Sequence, residues 1–566
     1  MIKILAHNIT SPLGNTTSEN LDAVMAGHTA IRHHTNCRNV PGTFTASLFP
    51  DSCLSTMRNN GESLTEALAV ASAKKAIATS GIDVTKGDTL LILSTTKGNV
   101  SWLGDGVHDT ESILPSSSAL VIARALGMTT TPIVVDNACI SGLSAIITAC
   151  RLLRLGICDH AVVCGVEIQS KFIVSGFQSL KAMSGDLCRP FDIERNGLNL
   201  GEAAATIVLS RQSETTPGWL VTSGCVRNDA FHISTPSKTG QGAYEALRGC
   251  LHELDNNDIA FINAHGTATL FNDQMEAVAI ARAGLTGIPV NGYKGYFGHT
   301  MGACGLLETA LSMEALDSGI ILPTKGFEEL GVSEKLDMVS EKRKTEKTCF
   351  VKMLSGFGGC NAAITVSKGA MTEEDSPTVL FRTIHQIQMA EDTVVVDGRG
   401  LKHENCGKML LTELYKSLIA DYPRFYKMDI LSRLGFIATE LLLKAEGLHR
   451  FKECSDRAVI IAGHHGSLVA DEKYFASIAD AKDYFPSPER FVYTLPNIVT
   501  GEIALRNQYH GETEFYLLEK KDWKRMEQLI AAALSDQETK QVIGEWLDCK
   551  DENHFEADLR IIEKQE

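Results

Sequence analysis

Apolar, β-branched runs alternate along the chain with amphipathic stretches of helical spacing. "TLLILSTT" (89–96), "HAVVCGVEI" (160–168) and "DIAFINAHG" (258–266) read as strands buried on both faces. "LTEALAVASAKKAIATSG" (64–81) reads as a helix that covers such strands on one side. Alternation of this kind predicts an α/β protein built in layers. Glycine-rich turns punctuate it at "GYFGHTMGACG" and "SGFGGCNAA". In "VVDNACISGLSAIITAC" (134–150) a buried strand turns into a buried helix, with Cys139 at the junction.

With 566 residues the chain exceeds one core and suffices for two or three domains. A polar segment at 367–378, "SKGAMTEEDSPT", reads as a linker. Beyond it the glycine-rich turns thin out and charge density rises. Two echoes cross this linker in the same order. "LLILSTTKGNV" (90–100) has the shape of "AVIIAGHHGSLV" (458–469), and "LPSSSALVIAR" (114–124) that of "LPNIVTGEIAL" (495–505). They suggest that part of the first region is repeated in the last.

The composition changes little: 44% hydrophobic and 22% charged residues are an ordinary globular balance. The formal net charge of −16 argues against nucleic acid or an anionic membrane as the main partner. No apolar run approaches the ~18 residues of a membrane span. No secretory h-region is visible in "MIKILAHNITSPLG". The 15 cysteines are scattered without CxxC pairing, so free thiols in a reducing cytoplasm are expected.

Four stretches can carry chemistry. Cys139 would open a helix, whose N-terminus stabilises a thiolate, although a buried packing cysteine fits the spacing as well. His265, in "NAHGTATLFNDQMEA", ends a strand at the side where α/β sheets place ligands; a turn histidine reads the same way. Asp273 and Glu276, just beyond, could be surface acids of the next helix. His299 lies among glycines, five residues after Lys294. Gly356, Gly358 and Gly359 surround Phe357 in a turn whose backbone N–H groups could form half of an oxyanion hole, or could simply join two strands.

Together these stretches resemble the β-ketoacyl-acyl carrier protein synthases of the thiolase-like fold. The resemblance runs over residues 1 to about 370. It passes in order through "ITSPLGNTTSENLDAVMAGHTAI", "NACISG", "CRPFDIERNGLNLGEAAA", "NAHGTATLFNDQMEA", "KGYFGHTMGACG" and "GFGGCNAA". It implies a duplicated αβαβα core with halves at 1–212 and 213–370, plus a smaller α/β domain at 379–566. The Cys-His-His set resembles the elongating enzymes, unlike the Cys-His-Cys of thiolases or the Cys-His-Asn of initiating synthases. Two departures are Ser355, where the family often has phenylalanine, and Ala203 in "GEAAA", where glycine is common.

The resemblance implies a decarboxylative condensation. Cys139 would hold the acyl group, and the Cys139 and Phe357 N–H groups would bind the oxyanion. His265 and His299 would stabilise the enolate. Lys294 and Glu276 would form a charged pair behind the histidines, with Asp273 beside them. Thr267 and Thr269 would contact pantetheine. No metal or redox cofactor is implied; the partner would be an acyl carrier protein. The fold would pair through its central sheets, as a homodimer or with another ketosynthase-like subunit. The pathway would be type II fatty-acid, aryl-polyene or polyketide-like synthesis. The alternative is a non-catalytic chain-length or scaffold subunit; a third reading is a non-decarboxylating thiolase-like enzyme. Residues 379–566 resemble the N-terminal half of a degenerate ketosynthase, with charged residues near "GETEFYLLEKKDW" where "NACISG" should recur. Cys549 sits in an acidic tail, and His464 and His465 read as turn residues.

Overall fold

Three groups of five strands repeat one strand order, and each group brings the same three helices. A computed structural model describes all residues except 54–62, 213–216, 252–253, 372–376, 448–451, 481 and 566. The first unit holds β1 (Ile2–Thr10), β2 (Thr89–Ser94), β3 (Ile133–Val135), β4 (His160–Glu167) and β5 (Ala203–Ser210). The second holds β6 (Gly218–Asn228), β7 (Ile259–Asn263), β8 (Pro289–Asn291), β9 (Cys349–Ser355) and β10 (Cys360–Gly369). The third holds β11 (Phe381–Ala390), β12 (Arg457–Gly463), β13 (Thr513–Leu517), β14 (Gln541–Cys549) and β15 (Phe555–Lys564).

In the first unit the order is β1-β5-β4-β2-β3, with two antiparallel pairings followed by two parallel ones. The second repeats it as β6-β10-β9-β7-β8. The third repeats it again as β11-β15-β14-β12-β13. After the first, second and third strand of each unit comes a helix. In the first unit these are α1 (Leu64–Ser80), α2 (Pro115–Ala125) and α3 (Ser141–Arg154). In the second they are α4 (Gln241–Cys250), α5 (Leu270–Arg282) and α6 (Cys304–Asp317). In the third they are α7 (Ile430–Glu446), α8 (Ile498–Asn507) and α9 (Trp523–Leu534). The two sequence echoes fall on equivalent places, β2 with β12 and α2 with α8.

The layered α/β fold expected from the sequence is the one observed. Helices α3 and α6 lie between the first two sheets and are buried almost end to end. A helix in that position can carry no polar face. They cross at glycines: a Cβ on Gly305 would sit 2.7 Å from Leu143 N, so a larger residue at 305 would push the helices apart. From the third unit, Met526, Leu529 and Ile530 of α9 enter the same core as Ile146 and Leu152 of α3.

The third unit does not stand apart. β13 adds antiparallel to the edge of β3, with Tyr516 opposite Val135 and Leu517 opposite Val134. The first sheet therefore continues into the third without a break. Buried charges fasten the seam: Arg151 donates to Glu512 (2.8 and 2.6 Å) and Asp536 (3.2 Å), and Arg227 to Asp536 (3.2 Å) and Glu538 (2.8 Å).

Two expectations change. β10 runs to Gly369, so the linker starts later than residue 367, and part of it, 372–376, lies outside the described residues. Cys549 is in no tail: it ends β14 and is buried. The β3 edge is filled by β13, so no further strand can pair along it. Among the described residues no helix is long and apolar enough to cross a membrane.

Candidate active site

Beyond β3, Ala138 takes a left-handed backbone (φ 49°) and residues Ala138–Ile140 form a 3-10 turn. α3 starts only at Ser141, two residues later than the sequence suggested. Ser141 Oγ locks the turn: it accepts from Asn137 N (2.8 Å) and donates to Ala138 O (2.6 Å). Cys139 is thereby held, partly accessible, against a cavity of about 520 Å³. Burial pushes its thiol pKa above the ordinary range and nearby Cys304 adds to this, while the charge of Lys294 pulls the other way. Desolvation therefore opposes the helix end in setting the charge of this thiol.

His265 follows β7 and His299 follows the left-handed Gly298 (φ 69°). Gly298 is required there, because a Cβ would meet Leu200 O at 2.4 Å. Backbone bonds from His299 N to Asn199 O (2.6 Å) and Gly201 N to His299 O (3.0 Å) fix the histidine. The two rings stand edge to face with centroids 5.0 Å apart. Sγ of Cys139 and one nitrogen of each imidazole all lie within 4.8 Å of one another. Met301 N donates to His299 Nδ1 (3.3 Å), so the ring proton sits on Nε2, which has no partner among the described residues. His265 Nδ1 is likewise buried without a partner.

Burial first, then the charge of Lys294, lowers both imidazole pKa values well below the ordinary 6.5. Both rings are neutral at pH 7. The sign follows: below about pH 6.5 the unfolded chain binds protons that the fold refuses, so this contribution to stability is lost as pH falls. The acid limb of any reaction that uses these rings is expected below pH 6.5. A rate–pH profile with a malonyl thioester checks this, and a limb at or above 6.5 would contradict it.

Behind the histidines the expected Lys294–Glu276 pair is not formed. Lys294 Nζ donates to His265 O (2.6 Å) and Glu308 Oε1 (2.9 Å). Lys352 reaches the other oxygen of Glu308 and donates to Ala264 O (3.1 Å). Burial alone would raise Glu308, but the two lysines hold it below the carboxylate range; Glu308 in turn keeps Lys294 raised against its own burial. Glu276 holds the backbone instead, accepting from His265 N (2.6 Å) and Gly266 N (2.8 Å). Asp273 accepts from Phe191 N (2.7 Å) and contacts neither histidine ring. Neither is a surface acid: both are fully buried, which pushes Asp273 to about 6 and Glu276 to about 7.

Thr267, Thr269, Ser355 and Phe357 line the cavity with Cys139 and both histidines. The two threonine hydroxyls bond each other (2.9 Å), and Ser355 Oγ bonds Asn361 Oδ1 (2.7 Å). Gly356 packs its turn onto the nucleophile loop, where a Cβ would lie 3.2 Å from Cys139 N. Two trios of side chains have donor sets that would suit a metal ion: Cys139 with the two histidines, and Glu111 with His464 and His465 at the seam. In the second trio His464 meets Glu111 at 3.1 Å and His465 meets Asp548 at 2.7 Å, so both bind across elements rather than merely turning the chain.

The sequence reading missed Glu308, Lys352 and Asn137. The first two had a signal, a lone charge inside an apolar run ("CGLLETAL", "CFVKMLS"), which marks a buried paired ion. Asn137 had none, since its partners Thr513 O (2.8 Å) and Glu514 Oε2 (3.0 Å) lie across the seam.

Residues 1–215 match the family model "Beta-ketoacyl synthase, N-terminal domain", and residues 218–328 match "Beta-ketoacyl synthase, C-terminal domain". Among curated relatives, the tetracenomycin polyketide synthase ketoacyl synthase alpha subunit of Streptomyces glaucescens is 31% identical over 295 residues, 48% of this chain and 69% of that one. The 3-oxoacyl-[acyl-carrier-protein] synthase 2 of Rhizobium meliloti is 32% identical over 253 residues, 41% of this chain and 60% of that one. Among solved structures, the ketosynthase ApeO in complex with its chain length factor ApeC, from Xenorhabdus doucetiae, matches 65% of this chain and 98% of its own (TM-score 0.57, 24% identity). The PfaC keto synthase–chain length factor covers 100% of this chain with 78% of its own (TM-score 0.78, 14% identity), a likeness of fold that includes the third unit.

Proposed function

The chain belongs to the β-ketoacyl synthase family, and from that premise we propose that it joins an acyl group held on Cys139 to a malonyl unit held on an acyl carrier protein, with loss of carbon dioxide. The observation that carries this reading is the convergence of one thiol and two imidazoles within 4.8 Å at one cavity. In the first step the thiol gives up its proton to a neutral imidazole and attacks the acyl thioester. The tetrahedral oxyanion sits between the N–H groups of Cys139 and Phe357, and the carrier thiol leaves with the proton. Losing one such donor typically lowers a rate ~10²–10³-fold.

In the second step a malonyl thioester enters with its arm along Thr267 and Thr269. His299 Nε2–H donates to the thioester oxygen, beside His265. The carboxylate leaves as carbon dioxide, and its bonding electrons become an enolate. The enolate carbon attacks the acyl carbon, the C–S bond to Cys139 breaks with its electrons going to sulfur, the thiolate takes a proton from solvent, and a 3-oxoacyl thioester two carbons longer departs. Lys294, Glu308 and Glu276 act on the backbone and field around the rings and touch no reacting atom. The steps draw on no metal or redox cofactor. Lys181 and the exposed Leu270 and Phe271 all line the cavity, a cationic and apolar set suited to an acidic carrier protein.

The third unit is read as non-catalytic. Between β13 and α9 the segment 518–522, "LEKKD", occupies the place that 136–140 holds in the first unit, and it offers no thiol. Carriers of the type II fatty-acid, aryl-polyene or polyketide-like kind are the proposed substrates. A scaffold role for the whole chain is less supported, because Cys139, His265 and His299 are all in place.

Incubation with an acyl-carrier primer and radiolabelled malonyl-carrier protein tests the reading. Carbon dioxide and 3-oxoacyl product are expected in equal amounts. No condensation with any primer would favour the scaffold role, and acetyl exchange without carbon dioxide release a thiolase-like reaction.

A further inference from the structure

The turn that carries Phe357 is held from two units of the fold. Gly356 N donates to Cys360 O (2.8 Å), and Gly358 N to Ile233 O (2.7 Å), both within the second unit. The Phe357 carbonyl is held from both: Cys360 Sγ of the second unit donates to it at 3.2 Å, and Asn497 Nδ2, at the start of α8 in the third, at 2.8 Å. The peptide between Phe357 and Gly358 is thus clamped at both ends. One helical turn later Gly501 presses on the same place, where a Cβ would meet Gly358 O at 2.5 Å. The Phe357 ring stacks on Phe177, which stands edge-on to Phe491 of the third unit. Asn497 is itself buried, and its Oδ1 has no partner among the described residues. The Phe357 N–H makes no hydrogen bond among the described residues.

We propose that Asn497 is a positioning residue for acyl transfer: it fixes the Phe357–Gly358 peptide so that the free Phe357 N–H stays aimed at the oxygen of a thioester on Cys139. This rests on the reading of Cys139 as the acyl carrier and deepens it, because it makes the third unit part of the oxyanion site. Neutral amide-to-carbonyl bonds are modest in net stability. Oxyanion geometry is far less forgiving, since displacement of about an ångström can lower a rate ~10²-fold.

The test uses the full chain with Asn497→Leu, which keeps the volume and removes the donor, and Asn497→Ala as a second variant. Two rates on Cys139 are compared by intact mass: acylation by an acyl thioester, which passes through an oxyanion, and alkylation by iodoacetamide, which does not. Acylation is expected to fall at least about 10-fold, as partial loss of an oxyanion donor. Alkylation, KM and the unfolding midpoint should stay within about twofold. Equal losses in both rates, or no loss in either, would overturn the positioning role. Failure of the unsubstituted protein to acylate at all would strike the functional reading instead.

Discussion

Cys139→Ala is expected to abolish condensation while carbon dioxide release from malonyl-carrier protein continues. The sulfur is the only group proposed to bond the growing chain, so its loss should lower condensation on the order of 10⁶-fold, as removal of other covalent nucleophiles does. The neighbouring thiols cannot substitute. Cys304 donates to Cys139 O (3.4 Å), Cys360 is buried and donates to Phe357 O (3.2 Å), and neither lines the cavity as Cys139 does. Decarboxylation needs only the imidazole face, which the substitution leaves intact: His299 is fixed by Met301 N and by its own backbone bonds, not by the thiol. Product mass spectra and trapped carbon dioxide read the two reactions separately. Condensation at the unsubstituted rate would end the assignment of Cys139.

Ending the chain after residue 370 is expected to give insoluble or self-associating protein. The cut strips β13 from β3 and leaves a bare, flat strand edge flanked by Val134 and Val135. It exposes the apolar face of α3 that Met526, Leu529 and Ile530 cover. It also leaves Arg151 and Arg227 without Glu512, Asp536 and Glu538. A gentler variant probes the seam in the full chain. Glu512→Gln keeps the volume but takes away the main partner of a buried guanidinium, and breaking such pairs typically costs about 3–5 kcal/mol. That is a large fraction of the ~5–15 kcal/mol that stabilises a domain. Light scattering and denaturant midpoints measure both effects. A soluble truncated monomer with unchanged rate would show that the third unit is an appendage.

Much of the site was legible because its signals are local. β2, β4, β7 and α1 follow from apolar periodicity; Cys139 and His265 sit just past strand ends and His299 among glycines. What was illegible depends on residues far apart in sequence. Glu276 and Glu308 both precede or follow a histidine at plausible spacing, and only packing decides that Lys294 turns to Glu308. The strand "TEFYL" of β13 lies in the charged stretch "GETEFYLLEKKDW", yet every residue of it is buried. Burial raises the Glu514 carboxyl well above its ordinary value, so it can share a dry seam with Asn137. The 3-10 turn before α3 was hidden as well, since nothing in "NACISG" fixes whether the first helical turn is tight or regular.

Because β13 reaches β3 through a covalent tether, joining the two lobes is a first-order event. Their ratio is fixed at one to one by translation, and dilution cannot part them. The thermal midpoint should therefore be independent of protein concentration, as it is not for lobes that meet as separate chains.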